Sequence, residues 1–353
     1  MANSSDKTQV IAQSVLAGRW RLDGKLGEGG MGSVLRGFDL QNNQPVAIKL
    51  LSLELADQPE FVMRFEREAR LLSRLNHPGL VPLVAVDQEA GRPFFVMKLI
   101  EGTTLSKRIK ERGKLAQREV LPFVQQLAVA LDFLHARGIV HRDLKPSNIM
   151  ISANERVTLV DFGISRQNNT THLTLPGVMV GTPQYMAPEQ ILTGDVTPAS
   201  DIYSLSLLTW RMLVGKHAFV SESEEGLISM QLSLTPKLAH EMNAEVPEAV
   251  SHVLHRSLDK DPAKRHQTAT EFYQDLLKGF GGDDTTSEPD ATTAPDVPIT
   301  RNDKPLQISD AETRIKLEPT SEKPAMKEPF PLQWVAIGVG VLAVLAALVW
   351  YVS

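Results

Sequence analysis

The chain has 353 residues, 42% of them apolar, which is enough for one large or two ordinary domains with a proper hydrophobic core. It contains no cysteine, which excludes a disulfide scaffold, cysteine metal sites and thiol catalysis, and which fits a reducing compartment. Residues 281–331 hold 11 of the 42 acidic and 6 of the 37 basic side chains, so the remainder is neutral and gives no support for nucleic-acid binding.

Short runs that alternate apolar and polar residues predict an antiparallel meander of strands in RWRLDGKLG, GSVLRGFDL and QPVAIKLL. A helix is predicted over about 59–75, followed by strands in LVPLVAVDQ and RPFFVMKLI. The stretch LPFVQQLAVALDFLHARG then repeats its apolar residues with a 3.6 period and predicts a helix ending at Gly138. Further helices are predicted within 198–280. We therefore expect two lobes over residues 18–280, after an N-terminal extension of residues 1–17.

A glycine cluster lies between two predicted strands and reads G-x-G-x-x-G-x-V, from Gly27 through Gly29 and Gly32 to Val34. No helix follows it, so it does not match the dinucleotide site of a Rossmann fold, which needs a helix N-terminus. It is either an ordinary turn or a hairpin whose backbone N–H groups lie over phosphates. Lys49, in VAIK on the next strand, is either a solvated edge residue or a ligand of the α- and β-phosphates.

Glu68 falls inside the apolar stripe of the helix predicted over 59–75, between Phe65 and Leu72. A carboxylate on a buried helix face needs a cationic partner, and Lys49 is the natural candidate. The alternative is a half-exposed glutamate at the edge of the stripe.

The densest group of polar residues is HRDLKPSN, which ends at Asn148, followed by DFG, which begins at Asp161. Between them, NIMISANERVTLVDFG predicts two short strands and a turn, an arrangement that brings Asn148 close to Asp161. Two oxygen ligands there suit Mg²⁺, which binds proteins through few side chains together with substrate phosphates. Asp143 is placed to orient a hydroxyl, with Lys145 beside it to balance developing charge.

These motifs, followed in order by GTPQYMAPEQ, resemble the catalytic domain of the eukaryotic-like bacterial serine/threonine protein kinases over about three quarters of the chain. The resemblance implies an α+β, bilobal protein kinase fold, with a β-rich N-lobe and a helical C-lobe, over residues 18–280. It also implies ATP with Mg²⁺, or Mn²⁺ in its place, and protein substrates that offer Ser or Thr hydroxyls.

The resemblance also implies roles for single residues. Asp143 is the catalytic base, Lys145 is the neighbour of the γ-phosphate and the hydroxyl, and Asn148 and Asp161 are the metal ligands. The residues implied in ATP binding are Gly27, Gly29, Gly32, Val34, Ala47, Lys49, Glu68, Lys98, Ile100 and Met150. Among them Val34, Ala47 and Met150 enclose the adenine, and the backbone of Lys98 and Ile100 bonds its edge.

Other residues match the internal framework of the family. Glu189 and Arg265 match the buried pair of the large lobe, Asp201 matches the aspartate that braces the catalytic loop, and Met97 gates the back pocket. The stacked apolar spine between the lobes is matched by Leu72, Leu83, His141 and Phe162.

Arg142 precedes the catalytic aspartate, and in the family such an arginine is neutralised by a phosphate on the activation loop. We therefore predict autophosphorylation at Thr171 or Thr174. The alternative is that both are solvated loop threonines.

The C-terminal part is predicted to anchor the chain in a membrane. Residues 281–331 have eight prolines and few large apolar residues, which predicts a disordered juxtamembrane linker. The uncharged run 334–352 spans ~30 Å as a helix and predicts a transmembrane helix over 332–353, a buried core helix or low-complexity tail being the alternative. Lysines precede the run and no basic residue follows it, so we expect a single-pass inner-membrane protein with a cytoplasmic kinase domain. Since one residue follows the run, we expect no sensor domain beyond it.

Three functions remain open from the sequence. The first is an active kinase at the lipid bilayer. The small-residue stripe Ala336, Gly340, Ala343 and Ala347 in its span is either a helix–helix contact face for self-association in trans or only the ordinary share of Ala and Gly in membrane spans. The second is a pseudokinase that binds nucleotide without transfer. The third is a scaffold whose threonine-rich linker docks phosphothreonine-reading proteins. The motif residues needed for transfer are intact, which favours the first function, and the third is compatible with it.

Overall fold

The computed structural model describes residues 14–29, 32–161 and 183–282. Within these ranges the strands are β1 Val15–Leu16, β2 Trp20–Gly29, β3 Gly32–Asp39, β4 Gln44–Leu51, β5 Leu83–Glu89, β6 Arg92–Lys98, β7 Thr103–Thr104, β8 Ile149–Ile151 and β9 Val157–Leu159.

The helices in the same ranges are α1 Leu53–Ala56, α2 Pro59–Leu72, α3 Leu105–Arg112, α4 Gln117–His135, α5 Pro188–Leu192, α6 Pro198–Val214, α7 Glu224–Ser233, α8 Ala239–Met242, α9 Glu248–Ser257 and α10 Ala269–Gly279. Short 3₁₀ turns cover Pro146–Asn148, Pro183–Tyr185 and Pro262–Lys264.

The first lobe is an antiparallel sheet of six strands in the order β1-β2-β3-β4-β6-β5. Strand β4 is buried on both faces, and its residues alternate between two cores. Ile48 packs with Trp20 and Phe94 on one face, while Leu51 packs with Phe65 of α2 on the other. This alternation directs Lys49 toward α2 and the cleft below it.

Helix α2 begins with Pro59 at its first position, where a proline loses no intrahelical hydrogen bond. It ends at Leu72, three residues before the predicted end. The backbone N–H groups of Arg74 and Leu75 each bond a carbonyl three residues back, which forms tight turns, and Pro78 follows soon after.

The second lobe is helical and is built around α4 and α6. Helix α4 begins before the predicted stretch and ends at His135, and Gly138 follows at a φ of +69°. Helix α6 begins with a capping box of Thr197 and Ser200 and ends at Val214, and its C-cap is Gly215, whose φ of +78° suits a glycine.

The two lobes are joined by backbone hydrogen bonds to Leu159 at the end of β9. Its N–H donates to the carbonyl of Gly79 at 2.8 Å, and its carbonyl accepts from the N–H of Val81 at 2.9 Å. Strands β8 and β9 form the hairpin predicted from sequence. The predicted α+β architecture of a strand-rich lobe followed by a helical lobe is confirmed.

No helix among the described residues has both the length and the apolar character needed to cross a membrane. The predicted linker beyond Gly282 and the predicted transmembrane helix over 332–353 lie outside those residues.

Candidate active site

The cleft is organised by Lys49, whose ammonium bonds two carboxylates. Its Nζ lies 2.7 Å from Oε1 of Glu68 on α2 and 2.6 Å from Oδ1 of Asp161, which follows β9. Glu68 is 1% exposed, so the glutamate lies on the buried face of α2 and not at its edge. One cation therefore connects β4, α2 and the segment after β9.

Burial and charge act in opposite directions on this cluster. Burial works to lower the pKa of Lys49, but Glu68 and Asp161 outweigh it and hold that pKa above its ordinary value. Burial raises the pKa of the Glu68 carboxyl, and Lys49 only partly offsets this. The short contact to the ammonium keeps this pair ionic, because a buried lysine without its carboxylates would lose its proton. Lys49 therefore stays a cation in the cleft.

The HRDLKPSN segment places three polar side chains together. Lys145 Nζ lies 2.9 Å from Oδ2 of Asp143, and the Asn148 amide donates to the same oxygen at 3.0 Å and to the Asp143 carbonyl at 2.9 Å. Asn148 is buried, and the 3₁₀ turn Pro146–Asn148 sets its direction. The carboxylate of Asp143 is thus held by two donors and faces the cleft with a cation beside it.

The loop before Asp143 is anchored from below by Asp201 on α6. The two oxygens of this buried carboxylate accept the backbone N–H groups of His141 at 2.8 Å and Arg142 at 2.9 Å. His135 on α4 contributes a ring nitrogen 2.8 Å from the same carboxylate, a contact that sequence reasoning missed. Arg142 sits at a φ of +69°, so its strained backbone depends on this support.

The donor atoms near the β8–β9 hairpin fit a magnesium ion. Asn148 directs its NH₂ group to Asp143, which turns its carbonyl oxygen elsewhere, and its backbone carbonyl accepts from Val160 beside Asp161 at 3.1 Å. Asp161 is 41% exposed at its side chain and offers carboxylate oxygens. One amide oxygen and one carboxylate form the oxygen-only set that Mg²⁺ completes with water and phosphate. The role of both residues as metal ligands stays a prediction.

Two of the residues predicted to enclose adenine lie on neighbouring strands of the six-stranded sheet, and the third lies in the separate sheet β7-β8-β9. Val34 pairs with Lys49 across β3 and β4, Ala47 pairs with Met97 across β4 and β6, and Met150 lies on β8. The backbone N–H of Lys98 donates to the carbonyl of Pro82 at 3.0 Å, which restricts any adenine contact of Lys98 to its carbonyl. Ile100 follows β6 and is half-buried. Binding of adenine by these residues stays a prediction.

The three motif glycines do not have the same environment. A Cβ on Gly32 would lie 2.0 Å from the carbonyl oxygen of Leu50, and its φ is +150°. A Cβ on Gly27 or Gly29 would meet no atom of the described residues within 4 Å. The fold itself therefore requires a glycine at position 32 but not at the other two.

The pair expected in the large lobe is present. Arg265 bonds both carboxylate oxygens of Glu189, at 2.8 and 2.9 Å, and Glu189 also accepts from the hydroxyl of Ser200 at 2.6 Å. The Ser200 contact was not foreseen, although its place in a helix-capping pattern was a possible signal. Leu72 and His141 of the predicted spine are buried.

Several predicted positions lie outside the described residues. They are Phe162, Thr171 and Thr174.

Comparisons with known proteins agree with this geometry. Residues 20–277 match the protein kinase domain family. The serine/threonine-protein kinase PknA of Mycobacterium tuberculosis is 35% identical over 262 residues, which are 73% of this chain and 60% of the relative. The serine/threonine-protein kinase PrkC of Bacillus subtilis is 30% identical over 341 residues, which are 94% of this chain and 52% of the relative. This chain thus spans no more than about 60% of the length of these curated relatives.

A solved structure has the same fold. The crystal structure of the PknI kinase domain of M. tuberculosis matches with a TM-score of 0.62 at 28% identity, covering 76% of this chain and 98% of that one. The chain therefore belongs to the protein kinase family, and its kinase domain is of the bacterial serine/threonine type.

Proposed function

We propose that the chain is an ATP-dependent protein kinase that transfers the γ-phosphoryl group of Mg-ATP to Ser and Thr hydroxyls of proteins. The observation that carries this proposal is the double contact of Lys49 with Glu68 and Asp161, beside the Asp143–Lys145 pair. In phosphoryl transfer a protein contributes mainly positioning and charge stabilisation. These five residues provide both, with Asp143 accepting the hydroxyl proton.

The test uses the full chain in detergent with γ-labelled ATP, Mg²⁺ and a generic basic protein substrate. Label is expected on serine and threonine of the substrate with the wild type and not with Asp143→Asn. Asp87→Asn, an exposed aspartate at the end of β5, serves as the control and is expected to transfer normally. If the wild type binds ATP but transfers nothing, the pseudokinase or scaffold function replaces this one.

Autophosphorylation of the activation loop at Thr171 or Thr174 is the second part of the proposal. Its support is Arg142, whose guanidinium has no hydrogen-bond partner within 14–29, 32–161 and 183–282. Burial lowers the pKa of Arg142, Asp201 partly offsets this, and Arg67 on α2 lowers it further. Two arginines that repel each other across the cleft are a suitable receptor for a phosphate. Mass spectrometry of the loop after incubation with Mg-ATP tests this, with Asp143→Asn as the blank, and an unmodified loop would refute it.

The third part is membrane attachment, supported by the apolar run 334–352 and the preceding lysines. The kinase domain then works at the cytoplasmic face of the inner membrane, and lateral contact of neighbours favours transfer in trans. Cell fractionation of the full chain and of residues 1–331 tests it. Recovery of the full chain in the soluble fraction would contradict the anchor.

A further inference from the structure

A small cavity of about 230 Å³, with both polar and apolar walls, lies beside the catalytic residues. The second residue of α3, Ser106, forms one wall, and Lys145 and Ser147 form the next. Tyr185 and the end of α6 close the other side with Arg211 and His217. Because Lys145 also bonds Asp143, the cavity shares a wall with the place where an acceptor hydroxyl would lie.

The charge of this cavity is positive. Among its lining residues within the described ranges none is acidic, and two are cations, Lys145 and Arg211. The charge of Lys145 is largely matched by Asp143 at 2.9 Å. Arg211 donates to the backbone carbonyl of Gly215 and has no carboxylate partner within 14–29, 32–161 and 183–282. Burial and the nearby Arg211 lower the pKa of His217 to about 4, so that ring is neutral at pH 7.

The walls are held in place by packing. Arg211 lies in the last turn of α6, where it bonds the residue that ends the helix. Gly215 is itself confined, because a Cβ there would lie 2.5 Å from the carbonyl of Gly113. The ring of Tyr185 is buried and meets His217 edge-on at 5.9 Å between centroids. Arg211 therefore belongs to a preformed cavity and is not a loose surface side chain.

The size of the cavity favours a single side chain. At about 230 Å³ it is below the range of roughly 300–1,000 Å³ that drug-sized ligands occupy. An extended peptide advances ~3.3 Å per residue, so a cavity that shares a wall with the acceptor site lies within about three residues of the acceptor.

We propose that this cavity is a substrate subsite that takes an Asp or Glu side chain within three residues of the acceptor threonine, with Arg211 as its main charged contact. The inference rests on the proposed kinase function and specifies its substrate class, namely acidic peptides. A carboxylate that enters the cavity gains Arg211 as a partner of opposite charge, which a cavity with only neutral walls would not offer. A lysine or arginine at the same place faces Arg211 and is disfavoured.

The chain supplies suitable peptides itself. Each threonine of its acidic segment has an Asp or Glu within three residues: Thr285, Thr286, Thr292, Thr293, Thr300, Thr313 and Thr320. The loop threonines Thr170, Thr171 and Thr174 have none. The subsite thus favours the threonines of the segment 281–331 as substrates of this kinase or of a neighbouring copy, while autophosphorylation of the loop threonines would not use this contact.

The test measures kcat/KM of the full chain for three versions of the peptide GGDDTTSEPDATTA, residues 281–294. One is the natural sequence, one has each Asp and Glu replaced by Asn and Gln, and one has them replaced by Lys. The natural peptide is expected to be about tenfold better than the neutral one and better still than the lysine one.

Variants then locate the preference in the cavity. Arg211→Gln is expected to bring the ratio of natural to neutral peptide close to one, and Arg211→Glu is expected to reverse the order in favour of the lysine peptide. Lys216→Gln removes the same charge from an exposed neighbour that does not line the cavity and is expected to keep the ratio. Should the Arg211 variants fail to fold, Ser106→Glu places a competing carboxylate in the cavity from an exposed position and is expected to lower the ratio.

The outcomes separate this inference from the function on which it rests. Equal kcat/KM for the three peptides, with normal transfer, overturns the subsite and leaves the kinase function standing. A preference that survives Ser106→Glu and both Arg211 variants places the recognition elsewhere and also overturns it. Absence of transfer to every peptide and to the generic substrate overturns both.

Discussion

Arg265 shows how much of the large lobe depends on one side chain. Its guanidinium is fully buried and has five N–H donors, and five hydrogen bonds use them. Two go to Glu189, and three go to the backbone carbonyls of Asp259, Ala199 and Lys260. Only a planar, five-donor group satisfies this set of acceptors, so a lysine cannot replace it.

Breaking this buried pair is expected to destabilise the protein strongly. Glu189→Gln and Arg265→Lys should each lower the free energy of unfolding by about 3 kcal/mol, since each leaves a buried charge or donor without its partner. Urea denaturation of each variant measures this. Arg256→Lys is the control, because Arg256 bonds Glu271 and Asp275 at the surface, and its loss should stay within about 1 kcal/mol. A similar small loss at Arg265 would contradict the structural role given to it.

The same pair should appear in the pH dependence of stability. Burial works to raise the pKa of Glu189, but Arg265 and Ser200 outweigh it, so the folded pKa lies below the ordinary 4.5. A depressed folded pKa means that the contribution is fully present above about pH 4.5 and is lost as the pH falls through the folded pKa. The difference in unfolding free energy between the wild type and Glu189→Gln should therefore be constant near pH 7 and shrink below pH 4. Denaturation curves at a series of pH values measure it, and a constant difference down to pH 3 would refute the assignment.

At the scale of elements, the glycines of the motif on β2 and β3 differ in role. The backbone geometry of the strands requires Gly32, whereas Gly29 is not required by the fold. Gly32→Ala forces a Cβ against the carbonyl of Leu50 at a φ of +150°, which is expected to lower the stability of the nucleotide-free chain by about 1–3 kcal/mol. Gly29→Ala meets no atom of the described residues within 4 Å and should change that stability by less than about 0.5 kcal/mol. Thermal unfolding without nucleotide compares the two, and equal losses would show that the strand geometry is not the reason for Gly32.

The elements with a clear hydrophobic period were predictable, and their ends were not. The strand-rich lobe, α2, α4 and the β8–β9 hairpin follow from alternation and helical period. The end of α2 at Leu72 depends on turns that only the backbone bonds of Arg74 and Leu75 reveal. The two-residue strands β1 and β7 carry no period at all, since each exists only through its partner strand.

The residues of the candidate site also divide into those that the sequence predicts and those that it does not. Residues within one motif, such as Asp143 and Asn148, were predictable because their spacing fixes their neighbourhood. The Lys49–Glu68 pair was predictable because a buried carboxylate needs a cation. The contact of His135 with Asp201 and the cavity around Arg211 each join segments that are distant in sequence. No local sequence pattern predicts either of them.

For the whole molecule, Lys49 is a side chain of the first lobe that bonds directly to the catalytic face of the second. Its partner Glu68 belongs to α2, and its partner Asp161 follows β9 in the second lobe. Removing the ammonium leaves Glu68, 1% exposed, without its cation, and a buried carboxylate in that state takes up a proton or leaves its pocket. Since Glu68 is on the buried face of α2, its departure carries the helix away from β4.

Lys49→Met is therefore expected to loosen α2 as well as to abolish transfer. Hydrogen exchange of residues 59–72 should accelerate by at least about tenfold, because breaking a buried pair costs several kcal/mol locally. Exchange of α6 in the other lobe should stay unchanged. Transfer should fall at least about a hundredfold, since phosphate positioning is lost together with the helix. Lys107→Met, at an exposed lysine of α3 whose only ion-pair contact within the described ranges is 3.9 Å from Glu111, should alter neither quantity. If transfer is lost while α2 exchanges at the wild-type rate, Lys49 acts only on the nucleotide, and the coupling of the two lobes through it is refuted.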